Sequence, residues 1–446
     1  MSDPNSTIVY KCPKGTRDYA RAEQIQRERF ESYVIDVFKL HGAIPLSTPV
    51  FEITDAITKG CDTDTSKETF QLIPEHDNTE KYTLRYDQTM PFARYCKQNN
   101  INKMCAYRIG DVFRRDQPNI NQRRFRSFRQ ADYDRVSLEQ DIPSSDAYTL
   151  SILLRIMLNS DLQHPFLITI NTIDMLGDMM SSADIPEKMW QAVSRSLDKL
   201  EKENWKTIAQ ELMNIGIKQE QIDVLSKHCS VVFDHRDISK GTLSFAFTDD
   251  TKKYLKDLIE YLRIVFTDEV LSKHLRFKPS LARGLDYYTG LIFEVNVCSP
   301  KKKDNIGSVA AGGRYDGLCG EGTKCVGFSI GIDRITKYLG MPKKKDFGFS
   351  VWVIQINDEC GRNTDALYKY KYEIMTDLSR CGIVAGSEMK KDVSMAAQIR
   401  YALKNEIPYI IFVGDEELRN GTVTLKILET KEQKQMTFLD AVKVIK

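Results

Sequence analysis

The spacing of apolar residues changes along the chain, and each spacing predicts a different kind of element. From Ala20 to Leu40 the apolar residues recur at steps of three and four, which predicts a helix that Gly42 ends. The next segment, GAIPLSTPVFE, has the composition of a strand, and Pro45 and Pro49 confine it to a sheet edge. An exposed edge needs to be covered, and self-association is one way to cover it.

A hairpin is predicted between Tyr107 and Asp134, where residues typical of pleated sheets flank the loop at 117–121. Successive side chains of a strand point to opposite faces, so one face of this hairpin combines arginines, a phenyl ring and carboxylates. On the second strand these residues are Arg124, Arg126, Phe128, Gln130, Asp132 and Asp134, while Ser127, Arg129 and Tyr133 point away. The first strand adds Arg108, Val112, Arg114 and Asp116 to the same face.

This hairpin is far more basic than the chain around it. Together with Arg135 it contains eight arginines, whereas the whole chain of 446 residues has a formal net charge of +2. Arginine binds phosphate through two hydrogen bonds and also stacks on rings, so the face suits a polyphosphate, a base and a further ligand. A salt-bridged strand at a sheet edge is the alternative interpretation.

Ligand-binding groups are also expected just before the hairpin. Residues 82–86 are predicted to form a strand, and residues 90–98 a helix with Pro91 in its first turn. Asp87 and Thr89 lie at the end of that strand, where ligand groups are common. The alternative for Asp87 is that it caps the helix.

Beyond the hairpin the pattern predicts three further segments. Residues 185–275 are rich in Lys and Glu at helical spacing, which predicts a helical subdomain inserted between the segments 1–184 and 276–341. The run PKKKD is typical of a linker. After it, strands and helices alternate and a hairpin and a short helix follow, which predicts a separate α/β domain over 346–446.

Composition and cysteine usage narrow the class of protein. The chain is 41% hydrophobic and 28% charged, which is ordinary for a globular protein, and a net charge near zero argues against non-specific coating of nucleic acid. Its ten cysteines form no C-x-x-C pair and no zinc-finger spacing, as in reduced intracellular proteins. No apolar run is long enough to span a membrane, and the N-terminus has no targeting pattern. We therefore expect a cytoplasmic protein with no membrane partner, and leave open a second, mitochondrial location.

Three stretches around the hairpin resemble the signature motifs of class II aminoacyl-tRNA synthetases. Neither a P-loop nor a dinucleotide-binding glycine pattern occurs, so a nucleotide bound here would lie on an antiparallel sheet. The first helix with the Pro49 strand resembles motif 1, which is the dimer interface of that family. The runs Phe113–Asp116 and Arg124–Asp132 resemble motif 2, with Asp116 in place of the usual glutamate. Gly327–Arg334 resembles motif 3, with Ser329 in place of a glycine.

Two longer stretches, Ala282–Gly290 and Ala311–Leu318, resemble signatures of histidyl-tRNA synthetases, and Arg85–Asp87 resembles the eukaryotic form. The resemblance covers about residues 10–446. It implies an α+β fold: a class II synthetase catalytic domain, with a mostly antiparallel sheet flanked by helices, a helical insertion and a C-terminal α/β anticodon-binding domain. It also implies a homodimer.

The resemblance implies that the chain activates histidine with ATP and transfers it to the 3′ end of histidine tRNA. The implied ATP-binding residues are Arg114, Asp116, Arg124, Phe128 and Arg334. Mg²⁺ would neutralise the phosphates, with its protein ligands unassigned. Arg283 and Arg114 are the implied catalytic residues at the α-phosphate, and the alternative for Arg283 is a salt bridge to Asp286 or Glu294.

The same resemblance implies the residues that choose the amino acid. The implied histidine-binding residues are Asp87, Thr89, Gln130, Asp134, Arg283, Tyr287, Tyr288 and Tyr315. Asp134 and Tyr288 would hold the two edges of the imidazole, and Asp87, Thr89 and Gln130 the α-amino group. Aspartates at 87 and 134 replace the glutamates of the bacterial form, and their shorter reach changes the contact geometry. The loop of motif 2 would face the acceptor end of the tRNA.

Two other functions fit parts of this pattern. A catalytically inactive, synthetase-like protein that binds histidine and regulates another enzyme is one alternative, although such proteins usually lack the C-terminal domain or the active-site arginines. A synthetase for another amino acid, such as threonine or proline, is the second.

Overall fold

The computed structural model describes residues 10–20, 22–58, 68–73, 80–201, 203–240, 247–282, 287–300, 306–342, 348–357, 364–390 and 394–446. The chain divides into two compact units. The first comprises Met1–Tyr19 and Arg27–Gly340, and the second Ala20–Gln26 and Met341–Lys446. Each is described by itself below.

An eight-stranded sheet forms the centre of the first unit. The strands are β1 Ile44–Pro45, β2 Phe51–Ile53, β3 Tyr82–Leu84, β4 Lys103–Phe113, β5 Ser127–Ser137, β6 Phe166–Thr172, β7 Leu275–Phe277, β8 Leu291–Val297, β9 Ser308–Arg314 and β10 Lys324–Gly331. The order in the sheet is β1-β4-β5-β10-β9-β8-β6-β7, and β2 and β3 pair separately. Among the described strands of this sheet, only the outer pairs β1–β4 and β6–β7 are parallel. The mostly antiparallel sheet predicted from the class II resemblance is thus confirmed.

The helices described between residues 22 and 335 pack partly on this sheet and partly in a second cluster. They are α1 Ala22–Leu40, α2 Thr54–Thr58, α3 Thr89–Gln98, α4 Ile142–Asn159, α5 Ile173–Ser182, α6 Trp190–Leu197, α7 Trp205–Asn214, α8 Gln219–Cys229, α9 His235–Lys240, α10 Asp249–Val265, α11 Asp268–His274 and α12 Ile332–Ile335. Three-residue to four-residue 3-10 turns lie at Ile120–Gln122, Glu187–Met189 and Asp198–Glu201.

Helix α1 packs on the sheet through the apolar stripe that predicted it. The ring of Phe38 lies 5.9 Å from Tyr107, 5.5 Å from Tyr133 and 5.9 Å from Phe328, which belong to β4, β5 and β10. Full burial of one such side chain stabilises the fold by about 1.5–3 kcal/mol. Gly42 follows the helix with a φ of +76°, as a C-terminal glycine cap requires.

The hairpin is shorter than the sequence indicates. Strand β5 begins at Ser127 and β4 ends at Phe113, so the strand positions predicted for Arg114, Asp116, Arg124 and Arg126 are wrong. The chain between them turns on itself, because the Asn119 side chain accepts from Gln122 N and Arg123 adopts a left-handed φ of +47°. These residues therefore belong to a loop.

The stretch predicted as a helical insertion is helical, and its residues contribute to two different hydrophobic clusters. Helices α6, α7 and α8 pack with α5 around Leu197, Leu212 and Leu225. Helices α10 and α11 instead pack in the main core with α4 and β6, through residues such as Leu258 and Leu271. The domain bounds 185 and 275 stay a prediction.

The second unit is an α/β sandwich around a five-stranded sheet. Its strands are β11 Val351–Gln355, β12 Ala385–Gly386, β13 Tyr409–Val413, β14 Thr422–Ile427 and β15 Gln433–Thr437, in the order β12-β11-β13-β14-β15. Its helices are α13 Thr364–Arg380, α14 Met395–Lys404, α15 Asp415–Asn420 and α16 Phe438–Ile445. Alternate residues of β11 enter two cores, Val351 and Val353 on one face and Trp352 and Ile354 on the other. The predicted α/β domain, in which strands and helices alternate before a hairpin and a short final helix, is confirmed.

Within the described ranges, no helix is both long enough and apolar enough to cross a membrane.

Candidate active site

A cavity of about 490 Å³ in the first unit brings together side chains from the hairpin, from α3 and from strands β9 and β10. Of the thirteen residues proposed for catalysis or binding, twelve line it: Asp87, Thr89, Arg114, Asp116, Arg124, Phe128, Gln130, Asp134, Tyr287, Tyr288, Tyr315 and Arg334. The thirteenth, Arg283, lies outside the described residues. Residues more than 240 positions apart in the chain are thus placed around one space.

Strand alternation places four side chains in a row along the cavity: Phe128, Gln130, Asp132 and Asp134. On the neighbouring strand, Gly331, Ser329 and Gly327 lie opposite Gln130, Asp132 and Asp134. A Cβ on Gly327 would overlap the carboxylate of Asp134, so this position requires glycine.

Tyr133 and Arg129 lie on the opposite face of β5, as strand alternation predicts. Tyr133 stacks on Phe328 in the core, with ring centroids 5.5 Å apart. The Nε of Arg129 lies 2.8 Å from Oε1 of Glu31. Arg126, by contrast, is not among the cavity residues: its Nε donates to the carbonyl oxygen of Asp116 at 3.2 Å, and its stem lies against Gly15. Its predicted place on the ligand face is wrong because the alternation begins only at Ser127.

One end of the cavity is lined by arginines and an aromatic ring. The guanidinium carbon of Arg114 lies 5.2 Å from the centre of the Phe128 ring, and its Nε donates to the carbonyl oxygen of Tyr86 at 3.1 Å. Arg124 enters from the loop, with its Nε 3.9 Å from Oδ2 of Asp116. Arg334 donates to the carbonyl oxygen of Ser308 at 2.8 Å. This end can bind an anion next to a flat ring.

Two carboxylates lie beside these arginines. Glu68 and Asp116 both line the cavity. Burial and the neighbouring charge of Asp116 raise the pKa of Glu68, while Arg114 and Arg124 lower it. Among the described residues, no group of three or more His, Cys, Asp and Glu side chains is arranged as a metal site. A pair of carboxylates is the usual protein contribution to Mg²⁺ that arrives with substrate phosphates.

The other end is acidic. Burial raises the pKa of Asp132 to about 7, and the charges of Asp134 and Asp87 add to this while Arg108 opposes it. Asp132 Oδ1 accepts from Ser329 Oγ at 2.7 Å and from Gln88 Nε2 at 3.2 Å. The three carboxylates make this end suitable for a cation.

Asp87 caps a helix and also lies in the cavity, and its ligand-binding function stays a prediction. Its Oδ1 accepts from the backbone nitrogen of Met90 at 3.0 Å, in the first turn of α3, so it caps the helix. It also lines the cavity. Burial raises its pKa.

Asp134 is held from two sides. Arg108 forms a buried ion pair with its Oδ2, and Tyr315 donates to its Oδ1. The aromatic rings continue from there, because Tyr315 lies edge-on to Tyr287 at 6.3 Å, and the rings of Tyr287 and Tyr288 are 4.7 Å apart. An acidic group among phenolic hydroxyls can bind a neutral ring that carries one donor and one acceptor.

One acceptor at the acidic end has no partner. The Oε1 of Gln130 is buried and makes no hydrogen bond to any described residue. A buried polar atom without a partner is costly, and a ligand that donates to it removes that cost. An ammonium group beside Asp87 would do so.

Sequence reasoning did not assign several cavity residues to the site. Asp132 and Ser329, which line the cavity, had been placed in motifs 2 and 3 without a role. Arg108 is not among the lining residues and acts on the site through its ion pair with Asp134. Alternation with Gln130 and Asp134 is the signal that could have assigned Asp132, whereas Ser329 follows only from the pairing of the two strands. Glu68 carries no such signal, since it lies in no strand or motif and meets Asp116 only through the fold.

The short helix α12 is anchored by residues far from it in the chain. Asp333 pairs with Arg27 of α1 at 2.9 Å, and its Oδ2 accepts from the backbone nitrogen of Arg129 at 2.9 Å. Arg123 donates to its carbonyl oxygen at 3.0 Å. Arg334 is therefore held beside the hairpin by contacts to the residue before it.

Each of the two units matches a known protein family. A family model described as histidyl-tRNA synthetase matches residues 15–335, and one described as an anticodon binding domain matches residues 350–446. The mitochondrial histidine–tRNA ligase of Homo sapiens is 32% identical over 447 residues, which cover 96% of this chain and 86% of that protein. The cytoplasmic histidine–tRNA ligase of Takifugu rubripes is 31% identical over 476 residues, covering 100% of this chain and 89% of that protein.

Solved structures show the same fold. The crystal structure of histidyl-tRNA synthetase from Nostoc sp. PCC 7120 superposes with a TM-score of 0.75 at 23% identity. The match covers 98% of this chain and 99% of that one. At this identity the superposition establishes the fold of both units.

Proposed function

The chain belongs to the histidyl-tRNA synthetase family, and we propose that it activates histidine with ATP and transfers the histidyl group to the 3′ end of histidine tRNA. The observation that carries this proposal is the division of one cavity into two ends. An arginine-lined end with a phenyl ring suits ATP. An acidic end, with an acceptor that no described residue pairs, suits an amino acid that has a cationic amino group.

At the basic end, the adenine lies between Phe128 and Arg334, and the phosphates meet Arg114 and Arg124. The guanidinium of Arg114 lies 5.2 Å from the centre of the Phe128 ring, which supports this assignment. A base stacked on that ring would have its phosphates close to Arg114. Asp116 lies on the loop beside Arg124, with its Oδ2 3.9 Å from the arginine Nε, and faces the phosphates. Binding here is mainly by charge and stacking.

Formation of histidyl-adenylate needs no general base, because the carboxylate of histidine is ionised at neutral pH and is itself the nucleophile. It attacks the α-phosphate, and pyrophosphate leaves. Catalysis then depends on positioning and on cations where negative charge develops. Arg114, and Arg283 by resemblance to the family, supply those cations.

Mg²⁺ would be held by Glu68 and Asp116, the carboxylate pair next to Arg114 and Arg124. When bound, it neutralises charge on the β- and γ-phosphates.

At the acidic end, the ammonium group of histidine meets Asp87, Thr89 and the Oε1 of Gln130, which has no partner in the described part of the chain. The imidazole lies between Asp134 and the tyrosines Tyr287, Tyr288 and Tyr315. An apolar analogue would leave the hydrogen bonds between this pocket and the imidazole unmade, so the pocket should reject it strongly.

The remaining predictions concern partners. Exposed apolar side chains near the segment that resembles motif 1 support a homodimer: Leu40, Ile44, Val50, Phe51 and Ile53. The second unit, which matches an anticodon-binding domain, would bind the anticodon of the tRNA. A cytoplasmic location, with mitochondria as a second address, stays a prediction.

The proposal is tested by charging total tRNA with each of the twenty amino acids in turn. We expect the full chain to attach histidine alone. Attachment of threonine or proline instead would contradict the assigned specificity. Histidine binding without any charging or adenylate would favour a regulatory protein, which the presence of Arg114, Arg124 and Arg334 in the cavity argues against.

A further inference from the structure

A second buried network lies under the segment that carries the tyrosines of the acidic end. Arg314, at the end of β9, is 2% exposed, and Asp146 of α4 is fully buried. Their side chains meet through two nitrogens, with Nη2 2.6 Å and Nε 3.0 Å from Oδ1. None of these atoms belongs to the cavity lining.

The network gathers partners from distant parts of the first unit. Tyr254 of α10 donates to Oδ2 of Asp146 at 2.7 Å. Arg314 also donates to Ser145 Oγ at 2.6 Å and to Asp316 Oδ1 at 2.9 Å. A guanidinium with this many acceptors is fixed in position, since its fork-shaped donors match them.

The backbone of Arg314 holds the tyrosine segment directly. Its carbonyl oxygen accepts from Thr289 N at 2.8 Å, and the backbone nitrogen of Asp316 donates to Thr289 Oγ1 at 2.9 Å. Gly290 lies against the stem of Arg314, where a Cβ would be only 3.1 Å from Cδ. Thr289 follows Tyr287 and Tyr288 in the chain, so the position of both rings depends on this contact.

The same strand end positions Tyr315. Its backbone nitrogen donates to the carbonyl oxygen of Cys325 at 2.8 Å, and Cys325 N donates to Asp316 Oδ1 at 2.8 Å. Arg314 shares that carboxylate oxygen. Tyr315 in turn donates to Asp134. A chain of direct contacts thus runs from Asp146 to the acidic end of the cavity.

We propose that Arg314 and Asp146, with the hydroxyl of Tyr254, are positioning residues that set the affinity for histidine while leaving the ATP end unaffected. This inference rests on the proposed function. The Phe128 ring and Arg334 have their own supports, in β5 and in the anchored Asp333, so the two ends can respond separately.

The test compares Michaelis constants for histidine and ATP in the full chain, measured by pyrophosphate exchange. Asp146→Asn keeps the shape and removes the charge, and we expect KM for histidine to rise by about tenfold or more with KM for ATP changed by less than about twofold. Tyr254→Phe, which loses one hydroxyl, should raise KM for histidine by about two- to fivefold.

The matched control is Glu52→Gln. Glu52 is also buried and also takes two hydrogen bonds from an arginine, Arg94, at 2.9 and 2.7 Å, but it touches neither Thr289 nor Arg314. This variant should lose thermal stability and keep both Michaelis constants within about twofold of wild type. Comparison with Asp146→Asn then distinguishes misplacement of the pocket tyrosines from a general loss of stability.

Equal rises for both substrates in Asp146→Asn, or an unchanged KM for histidine, would overturn the inference. If Asp146→Asn does not fold, Tyr254→Phe decides by the same criterion. If the wild type itself shows no exchange, the proposed function fails instead. Calorimetric titration with histidine then tests whether the network sets histidine affinity. Equal affinity in wild type and Tyr254→Phe would overturn the inference.

Discussion

The carboxyl group of Asp132 is buried between two other acidic side chains, and this has a measurable consequence near neutral pH. Its pKa is about 7 in the folded chain against an ordinary value of 3.8. Between these values the folded state binds a proton that the unfolded state has lost, so the contribution to stability falls as pH rises from about 4 to about 7.

Asp132→Asn cannot ionise and should remove that fall. Urea unfolding at a series of pH values measures the free energy of unfolding of both proteins. The value for wild type minus the value for the variant should decrease by up to a few kcal/mol between about pH 4 and about pH 7, at about 1.4 kcal/mol per unit of pKa shift. Parallel pH profiles for both proteins would mean that Asp132 is already ionised in the folded chain.

A change at Asp134 should affect the Michaelis constant for histidine and not that for ATP. Asp134→Asn keeps the size of the side chain but weakens the acceptor for the imidazole. We expect KM for histidine to rise by about 10- to 100-fold, as for loss of a charged hydrogen bond, with KM for ATP near that of wild type. Steady-state pyrophosphate exchange provides both constants, and an unchanged value for histidine would remove Asp134 from the pocket.

At the scale of elements, strand β10 supplies the floor beneath the carboxylates. Gly327→Ala should abolish histidine binding, because the new Cβ would overlap the carboxylate and backbone of the facing strand at Asp134 and Tyr133. Gly331→Ala is the matched control on the same strand, since its Cβ would meet neighbours only at 3.5 Å or more.

Calorimetric titration with histidine distinguishes the two alanine variants. Gly331→Ala should bind within a few-fold of wild type, whereas Gly327→Ala should not bind measurably. Equal affinities would show that the strand can shift to accommodate the methyl group.

The same elements explain how far the sequence could predict the site. Alternation along β5 correctly placed Phe128, Gln130 and Asp134, because strand geometry is local. It misplaced Arg126, because the start of a strand depends on loop contacts such as the one between Arg126 N and Gly15 O. Glu68 and the Arg314–Asp146 pair could not be predicted, since they meet partners 48 and 168 positions away through tertiary packing.

At the scale of the whole molecule, the exposed apolar residues near β1 and β2 predict a homodimer. Phe51 is 51% exposed and Ile44 is 51% exposed, on the segment that resembles a dimer interface. Phe51→Asp would place a charge in that interface and should shift the chain towards monomer, as judged by analytical ultracentrifugation. Phe51→Leu is the conservative control and should remain dimeric. A wild-type monomer at micromolar concentration would contradict the prediction.

The central claim is that one cavity joins ATP and histidine for adenylate formation. Exchange of labelled pyrophosphate into ATP, measured with the full chain and each amino acid in turn, tests it most directly. We expect exchange with histidine alone, and an exchange rate lower by orders of magnitude in Arg114→Ala. Absence of histidine-dependent exchange in the wild type, or equal exchange with another amino acid, would contradict it.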